Sequence, residues 1–454
     1  MKLVYDIKDK PKFGQLIVFA FQQLLAILAA TIAVPSVVNS VTGSEMSQSA
    51  ALFGAGVGTL VYLLFTKFKS PVFLGSSFAF LGSMFAAFSG AASAGAGYLG
   101  FIIGAFFAGL VYVVIAIIVK IAGVNWINKL MPPVVIGPTV AIIGLSLAGN
   151  AVGDALHFAE KSADGSSFVM STQGWVGFIC ALVTLFTVMI CSVYGKKMAK
   201  LIPFVIGILA GYAVGTIFTL IGKATGNEAL MIIDWSAFSN MQWIPDFTVV
   251  KAIKQSGFEA INASYIAMIA VAYVPVAFVV FAEHIADHKN LSSIIEQDLL
   301  EEPGLHRTLL GDGVGSMVGA IFGGCPNTTY GESVGCVAIT GNASVVTILA
   351  TAFMAIIASF VAPFVTFLST IPACVMGGVC ITLYGFIAVS GLKMIQKVDL
   401  DDNRNLFVVS VILIAGIGGM ALTIGKVTLT EVACALILGI ITNVILSKKD
   451  AKKA

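Results

Sequence analysis

The sequence predicts an all-α polytopic membrane protein of fourteen transmembrane segments, built as two inverted seven-span repeats. Three observations carry that prediction. Apolar residues make up 58% of the 454 and charged residues 11%, with a mean hydropathy of +1.00; a soluble domain carries roughly a quarter charged residues. Uncharged runs exceed the roughly 20 residues a helix needs to cross a bilayer: Ser70 to Val119 is a run of fifty. Finally, two kinds of Pro- and Gly-marked segment recur at an offset of seven spans.

Apolar runs between loop signals give segments near 13–38, 50–66, 71–88, 96–119, 131–150, 173–194, 200–221, 264–287, 309–325, 327–343, 345–368, 371–392, 405–424 and 428–446. The first is too long for a secretory signal core and reads as a span. Basic residues orient the set. With the amino terminus inside, 20 of the 25 Lys and Arg fall in even-numbered loops and tails, leaving Lys161, Lys223, Lys251, Lys254 and Lys426 outside. That asymmetry fits the positive-inside rule. It predicts a multi-pass protein of the cytoplasmic (inner) membrane with both termini cytoplasmic. The few basic residues lie in short loops, so nucleic acid is not an expected partner. Lipid is, and a homodimer is an allowed assembly. The seven cysteines lie singly in apolar segments without metal or disulfide spacing. No cofactor or metal is expected.

The repeats are weak but regular. "PPVVIGPTVAIIGLSLAG" from Pro132 resembles "IPACVMGGVCITLYGFIAVSG" from Ile371, each reaching a glycine five residues after a proline. "SPVFLGSSFAF" from Ser70 pairs with "CPNTTYGESVG" from Cys325. These are the fifth and twelfth spans, and the third and tenth. Seven is odd, so the second copy, residues 226–454, lies upside down relative to the first, residues 1–225. Inverted repeats with interrupted segments mark secondary transporters.

Glu332 stands out within "TTYGESVG". The sixty residues after it contain no Asp, Glu, Lys or Arg, and the nearest charge before it is Asp312. Gly331 and Gly335 beside it predict irregular backbone, which a membrane tolerates only where it lines a polar cavity. Glu283 in "FAEHIADHKN" follows eighteen uncharged residues. On the residues alone it is either an intramembrane ligand or the end of its helix at the interface. Asp287 shares its helical face at i, i+4, while His284 and His288 share another. "GDGVGS", Gly311 to Ser316, lacks the lysine of a phosphate loop and reads as a glycine-faced span. Asp312 is expected to cap it.

Taken in order, "LGSSFAF", "AEHIADH", "DLLEEPGLHRTLLGDGVGS", "CPNTTYGESVGCVAITG" and "IPACVMGGV" resemble the nucleobase–ascorbate transporter family over nearly the whole chain. The family signature falls on "ESVGCVAITG", Glu332 to Gly341, with Ser333 where Asn is usual. The resemblance implies a core (spans 1–4 and 8–11), a gate (spans 5–7 and 12–14) and short strand-like pieces in spans 3 and 10. It implies a uracil site formed by Glu283, Glu332 and main-chain groups at Phe78 and Gly331, with Tyr330 and Tyr384 as pocket aromatics. It also implies proton symport with alternating access between core and gate. Some members carry a histidine where this chain has Asp287, with His288 one residue later; Glu283, Asp287 and His288 are the proton-coupling candidates.

The chemistry agrees. Uracil is a flat neutral solute with two N–H donors and two carbonyl acceptors. Carboxylates accept from its N–H groups in charge-assisted bonds, and free backbone amides donate to its carbonyls. An anion transporter of similar architecture would avoid acidic side chains at its site. A purine or xanthine permease of the same family commonly has Gln where this chain has Glu332. A membrane enzyme lacks support, since no nucleophile–base constellation or metal spacing occurs.

Overall fold

The computed structural model describes residues 3–123, 132–162, 167–196, 198–255, 257–424 and 427–447. Of the lysines that oriented the sequence, Lys2, Lys129, Lys197, Lys426, Lys448, Lys449, Lys452 and Lys453 lie outside the described residues.

The chain is a packed set of apolar helices. The first half holds α1 (Phe13–Thr42), α2 (Gln48–Phe65), strand β1 (Leu74–Ser76), a 3-10 turn (Phe78–Phe80) and α3 (Leu81–Ser89). It continues through α4 (Ala94–Ala122), α5 (Pro133–Ser146) with a short continuation (Ala148–Ala155), α6 (Thr172–Tyr194) and α7 (Pro203–Thr225). The second half holds α8 (Ala263–Ile295), α9 (Leu305–Phe322), strand β2 (Asn327–Thr329) and α10 (Gly331–Thr340). Then come α11 (Val345–Ser359), α12 (Ala362–Ser369), α13 (Ala373–Ile395), α14 (Asn403–Ile417) and α15 (Glu431–Ser447). Helices thus occur in every apolar segment of the sequence. Among the described residues, eight are long and apolar enough to cross a membrane, or nine if α11 and α12, bent by 79°, form one span.

Local chemistry sets the boundaries. Ser47, Ser93, Ser171 and Asn262 cap α2, α4, α6 and α8, each accepting from a backbone N–H three residues on. Gly43, Gly226 and Gly341 end α1, α7 and α10 in the left-handed conformation that a side chain would strain. Outward-facing residues such as Phe186, Ile217, Ile357 and Ile414 are more than half exposed, as suits helices solvated by lipid.

Glycine governs the closest contacts. A Cβ on Gly313 would lie 2.8 Å from Gly109 O, and one on Gly315 would lie 2.6 Å from Gly58 O. The "GDGVGS" stretch therefore wedges α9 between α2 and α4 at backbone distance. Similarly, a Cβ on Gly144 would lie 2.3 Å from Tyr384 O, and one on Gly391 would lie 2.2 Å from Ala141 N, so α5 and α13 touch along their backbones.

Two strands that are remote in sequence meet inside this bundle. β1 and β2 pair antiparallel, with Leu74 opposite Thr329, Gly75 opposite Thr328 and Ser76 opposite Asn327. Ser77 N donates to Pro326 O (2.9 Å) and Tyr330 N to Phe73 O (3.2 Å), extending the ladder at both ends. Every backbone group of a short strand in a bilayer needs such a partner. Polar contacts also tie the ends of the bundle. Lys251 pairs with Asp246 (2.9 Å) and with Glu45, and Lys69 pairs with Glu302. The segment before α1 runs along residues 341–345: Val4 N donates to Gly341 O (2.7 Å) and Ala343 N to Tyr5 O (2.9 Å).

Candidate functional site

Two chain breaks and one continuous helix converge on one cavity. β1 stops at Ser76 and the 3-10 turn begins at Phe78. β2 stops at Thr329 and α10 begins at Gly331. Beside them passes α8, presenting Glu283 and Asp287 one turn apart. Its volume is about 380 Å³, within the range of roughly 300–1,000 Å³ typical of small-molecule sites. Its polar wall includes Ser77, Glu283, Asp287, Thr328, Thr329 and Glu332, with Phe78, Tyr330 and Gly331 beside them. Val140 and Ile143 of α5 and Leu383, Phe386 and Ile387 of α13 form the apolar wall. Of the residues named from the sequence, Glu283, Asp287, Glu332, Phe78, Tyr330 and Gly331 all line it.

The arrangement supplies both hydrogen-bonding polarities. Phe78 and Gly331 are first residues of their helical turns, so their N–H groups have no acceptor within the turn. The carboxylates supply acceptors opposite. Glu332 lies in the first turn of α10, where the helix dipole favours a negative charge. Asp287 Oδ2 accepts from Thr329 Oγ1 at 2.8 Å, fixing that carboxylate against β2. Tyr330 is 4% exposed and donates from its hydroxyl to Ser76 O (2.9 Å), so it presents ring rather than hydroxyl to the cavity.

Several sequence expectations change. Glu332 is not on irregular backbone: α10 is regular from Gly331, and the irregularity is confined to the strand-to-helix step before it. Gly335 sits inside the helix because tertiary packing overrides its poor propensity. Ser333, at the signature's variant position, is buried and accepts from Gln23 Nε2 (2.5 Å) and Phe73 N (3.1 Å). It secures α10 to α1 and to the entry of β1.

Tyr384 does not line the cavity; it packs edge-on behind Phe78 at 5.5 Å. Nor does His288. Its Nδ1 bonds to His284 O (2.8 Å) and its Nε2 to Tyr62 Oη (2.7 Å). The carbonyl makes Nδ1 the donor nitrogen and leaves Nε2 facing the Tyr62 hydroxyl, which also bonds Ser70 Oγ (2.7 Å). Asp312 does not cap a helix. It lies within α9, fully buried, 2.7 Å from His284 Nδ1, while His284 Nε2 lies 3.0 Å from Thr308 Oγ1.

Sequence reasoning missed Ser77, Thr328 and Thr329. Ser77 Oγ and Thr328 Oγ1 are buried without a protein hydrogen-bond partner, which makes them groups that a solute or water can satisfy. The available signal was the density of Ser and Thr in "LGSSFAF" and "CPNTTYG".

A helical bundle interrupted at its centre by two short paired elements, with carboxylates and free helix starts around one cavity, defines a membrane transporter. The chain belongs to the Permease family, whose model matches residues 14–425. It is 41% identical to the uracil permease of Bacillus caldolyticus over 98% of this chain and 95% of that one. It is 37% identical to the uracil permease of Bacillus subtilis (100% and 97%) and 33% identical to that of Escherichia coli K12 (96% and 92%). Its fold is similar to the transmembrane domain of the cyanobacterium bicarbonate transporter BicA, with a TM-score of 0.63 at 16% identity, covering 97% of this chain and 100% of that one. It is also similar to murine Slc26a9, an anion transporter in the inward-facing state, with a TM-score of 0.67 at 10% identity, covering 98% and 69%. At those identities the likeness concerns the fold alone.

Proposed function

We propose that this permease imports uracil across the cytoplasmic membrane by proton symport, with alternating access between a core (spans 1–4 and 8–11) and a gate (spans 5–7 and 12–14). The observation that carries the reading is one cavity holding Glu283, Glu332 and Asp287 opposite the helix starts at Phe78 and Gly331. That set matches a neutral ring with two N–H donors and two carbonyl acceptors. The uracil permeases among the chain's relatives support the same substrate.

Glu283 and Glu332 are the N–H acceptors in this reading, and the main chain at Phe78 and Gly331 donates to the ring carbonyls. Tyr330 provides an apolar ring surface. Glu283 and Asp287 are the groups that exchange the proton; His288, turned away from the cavity, takes no part. The fourteen apolar segments cross the membrane as two inverted halves, 1–225 and 226–454, with both termini in the cytoplasm. The contact of β1 with β2 and of α5 with α13 supports that pairing, because each joins segments seven spans apart.

The structural neighbours that carry anions share the fold, yet three carboxylates around one cavity repel an anion. Purines have a second ring, and the Glu at the head of the signature favours the single-ring base. The test is uptake of radiolabelled uracil by cells expressing the chain, with xanthine, thymine and ascorbate as competitors. Uptake should be saturable, stimulated by acid outside and abolished by a protonophore. Competition by xanthine at lower concentrations than unlabelled uracil would reject the substrate. Dependence on Na⁺ with indifference to the protonophore would reject the coupling ion.

A further inference from the structure

A second cavity of about 160 Å³ lies beyond the first. The two share Phe78, Ala79 and Ile143 as a common wall. Their positions along the helices are displaced in step. On α8 the first cavity is lined at Glu283 and the second at Val276, about 10 Å apart at 1.5 Å per residue. Along α5 the first is lined at Val140 and the second at Leu147, the residue joining α5 to its continuation, the same sequence step in the opposite chain direction. On both helices the linings are offset by about two turns, with Phe78, Ala79 and Ile143 between them, so the second cavity continues the first.

The second cavity has its own polar groups. Glu431, the first residue of α15, and Asn150 both line it, and neither side chain has a hydrogen-bond partner among the described residues. Its hydroxyls are partly spent, since Ser83 donates to Ala272 O (2.7 Å) and Ser146 to Ile143 O (3.2 Å). A carboxylate acceptor and an amide that both donates and accepts suit a solute bearing N–H and C=O groups. The volume equals about five water molecules at roughly 30 Å³ each, which is room for one ring with its substituents rather than two.

We propose that this outer cavity is a second, transient subsite for the same single-ring base, with Glu431 accepting a ring N–H and Asn150 bonding a ring carbonyl. Phe78, Ala79 and Ile143 form the septum through which the base passes between subsites. Phe78 is held from behind by the Tyr384 ring, so the septum yields when α13, which carries Tyr384, moves. This inference rests on uracil being the substrate.

The test uses the purified full-length chain in detergent. Ser146→Cys places a reporter thiol in the outer wall, and Glu332→Gln disables the main site. The rate of thiol modification by a small charged reagent is followed as uracil is added, with the chain lacking the new cysteine as background. Uracil should slow modification of the double variant about fivefold once occupancy reaches about 80%, and adding Glu431→Gln should remove the protection. Val432→Cys replaces Ser146→Cys if that variant does not fold. Modification unaffected by uracil, or protection that survives Glu431→Gln, overturns the subsite. Failure of the parent chain to bind uracil by calorimetry would instead reject the substrate reading.

Discussion

Glu332→Gln tests the centre of the site. The residue lies in the first turn of α10, a helix secured at its start by the β1–β2 ladder and through Ser333 by Gln23. Its carboxylate is therefore placed before any solute arrives. Glutamine keeps the shape and the helix but replaces one acceptor oxygen with an NH₂ donor. Where that group faces a ring N–H, donor meets donor; turning the amide restores one acceptor and misplaces the other group. The charge-assisted part of the bond is lost and one buried group goes unpaired, together about 2–4 kcal/mol. That corresponds to a Kd raised roughly 30- to 1,000-fold. Calorimetry on the purified variant, with its melting temperature as a folding check, measures this directly. A folded variant that binds uracil within about threefold of the parent would show that Glu332 is structural and that the ligand-binding groups lie elsewhere.

Asp287→Asn keeps an acceptor for the Thr329 hydroxyl, so uracil binding should stay within about threefold while the pH profile of uptake shifts; loss of binding would make Asp287 a direct ligand. Asp312→Leu leaves the buried His284 Nδ1 without its hydrogen-bond partner, at about 1–3 kcal/mol, and should lower the melting temperature of the purified protein; an unchanged melting temperature refutes the pairing. Gly391→Val places methyl-bearing carbon where a Cβ alone would lie 2.2 Å from Ala141 N. It should abolish uptake by separating α13 from α5, and normal uptake would disprove that the contact matters.

Much of the fold was legible because lipid imposes simple rules. Long uncharged runs must be helices, and a lone carboxylate among them must face something polar. Glu283 and Glu332 were found on that ground, and the structure brings them to one cavity wall. What the sequence hid was direction and partnership. Tyr384 and Phe78 lie on different elements, and nothing in either segment says which ring is in front. His288 looks like a second titratable group near Glu283, yet one residue of helix turns it about 100° from Asp287, into the bonds of Tyr62. Asp312 and His284 are 28 positions apart, with no local pattern to pair them. Gly331 and Gly335 misled because propensity is a local preference and α10 is held by its neighbours.

The pairing of β1 with β2 bears on how the chain is made. Ser76 and Asn327 are partners separated by about 250 positions. While the ribosome is still building the second half, the amides and carbonyls of β1 have no strand to bond, in a solvent that cannot substitute. The first half must therefore wait, with its centre held open to water, to lipid headgroups or to an insertion factor. Only when residues 327–329 enter the membrane does the interior close. Halves expressed as separate polypeptides should accordingly be short-lived alone and recover function only when both are present together.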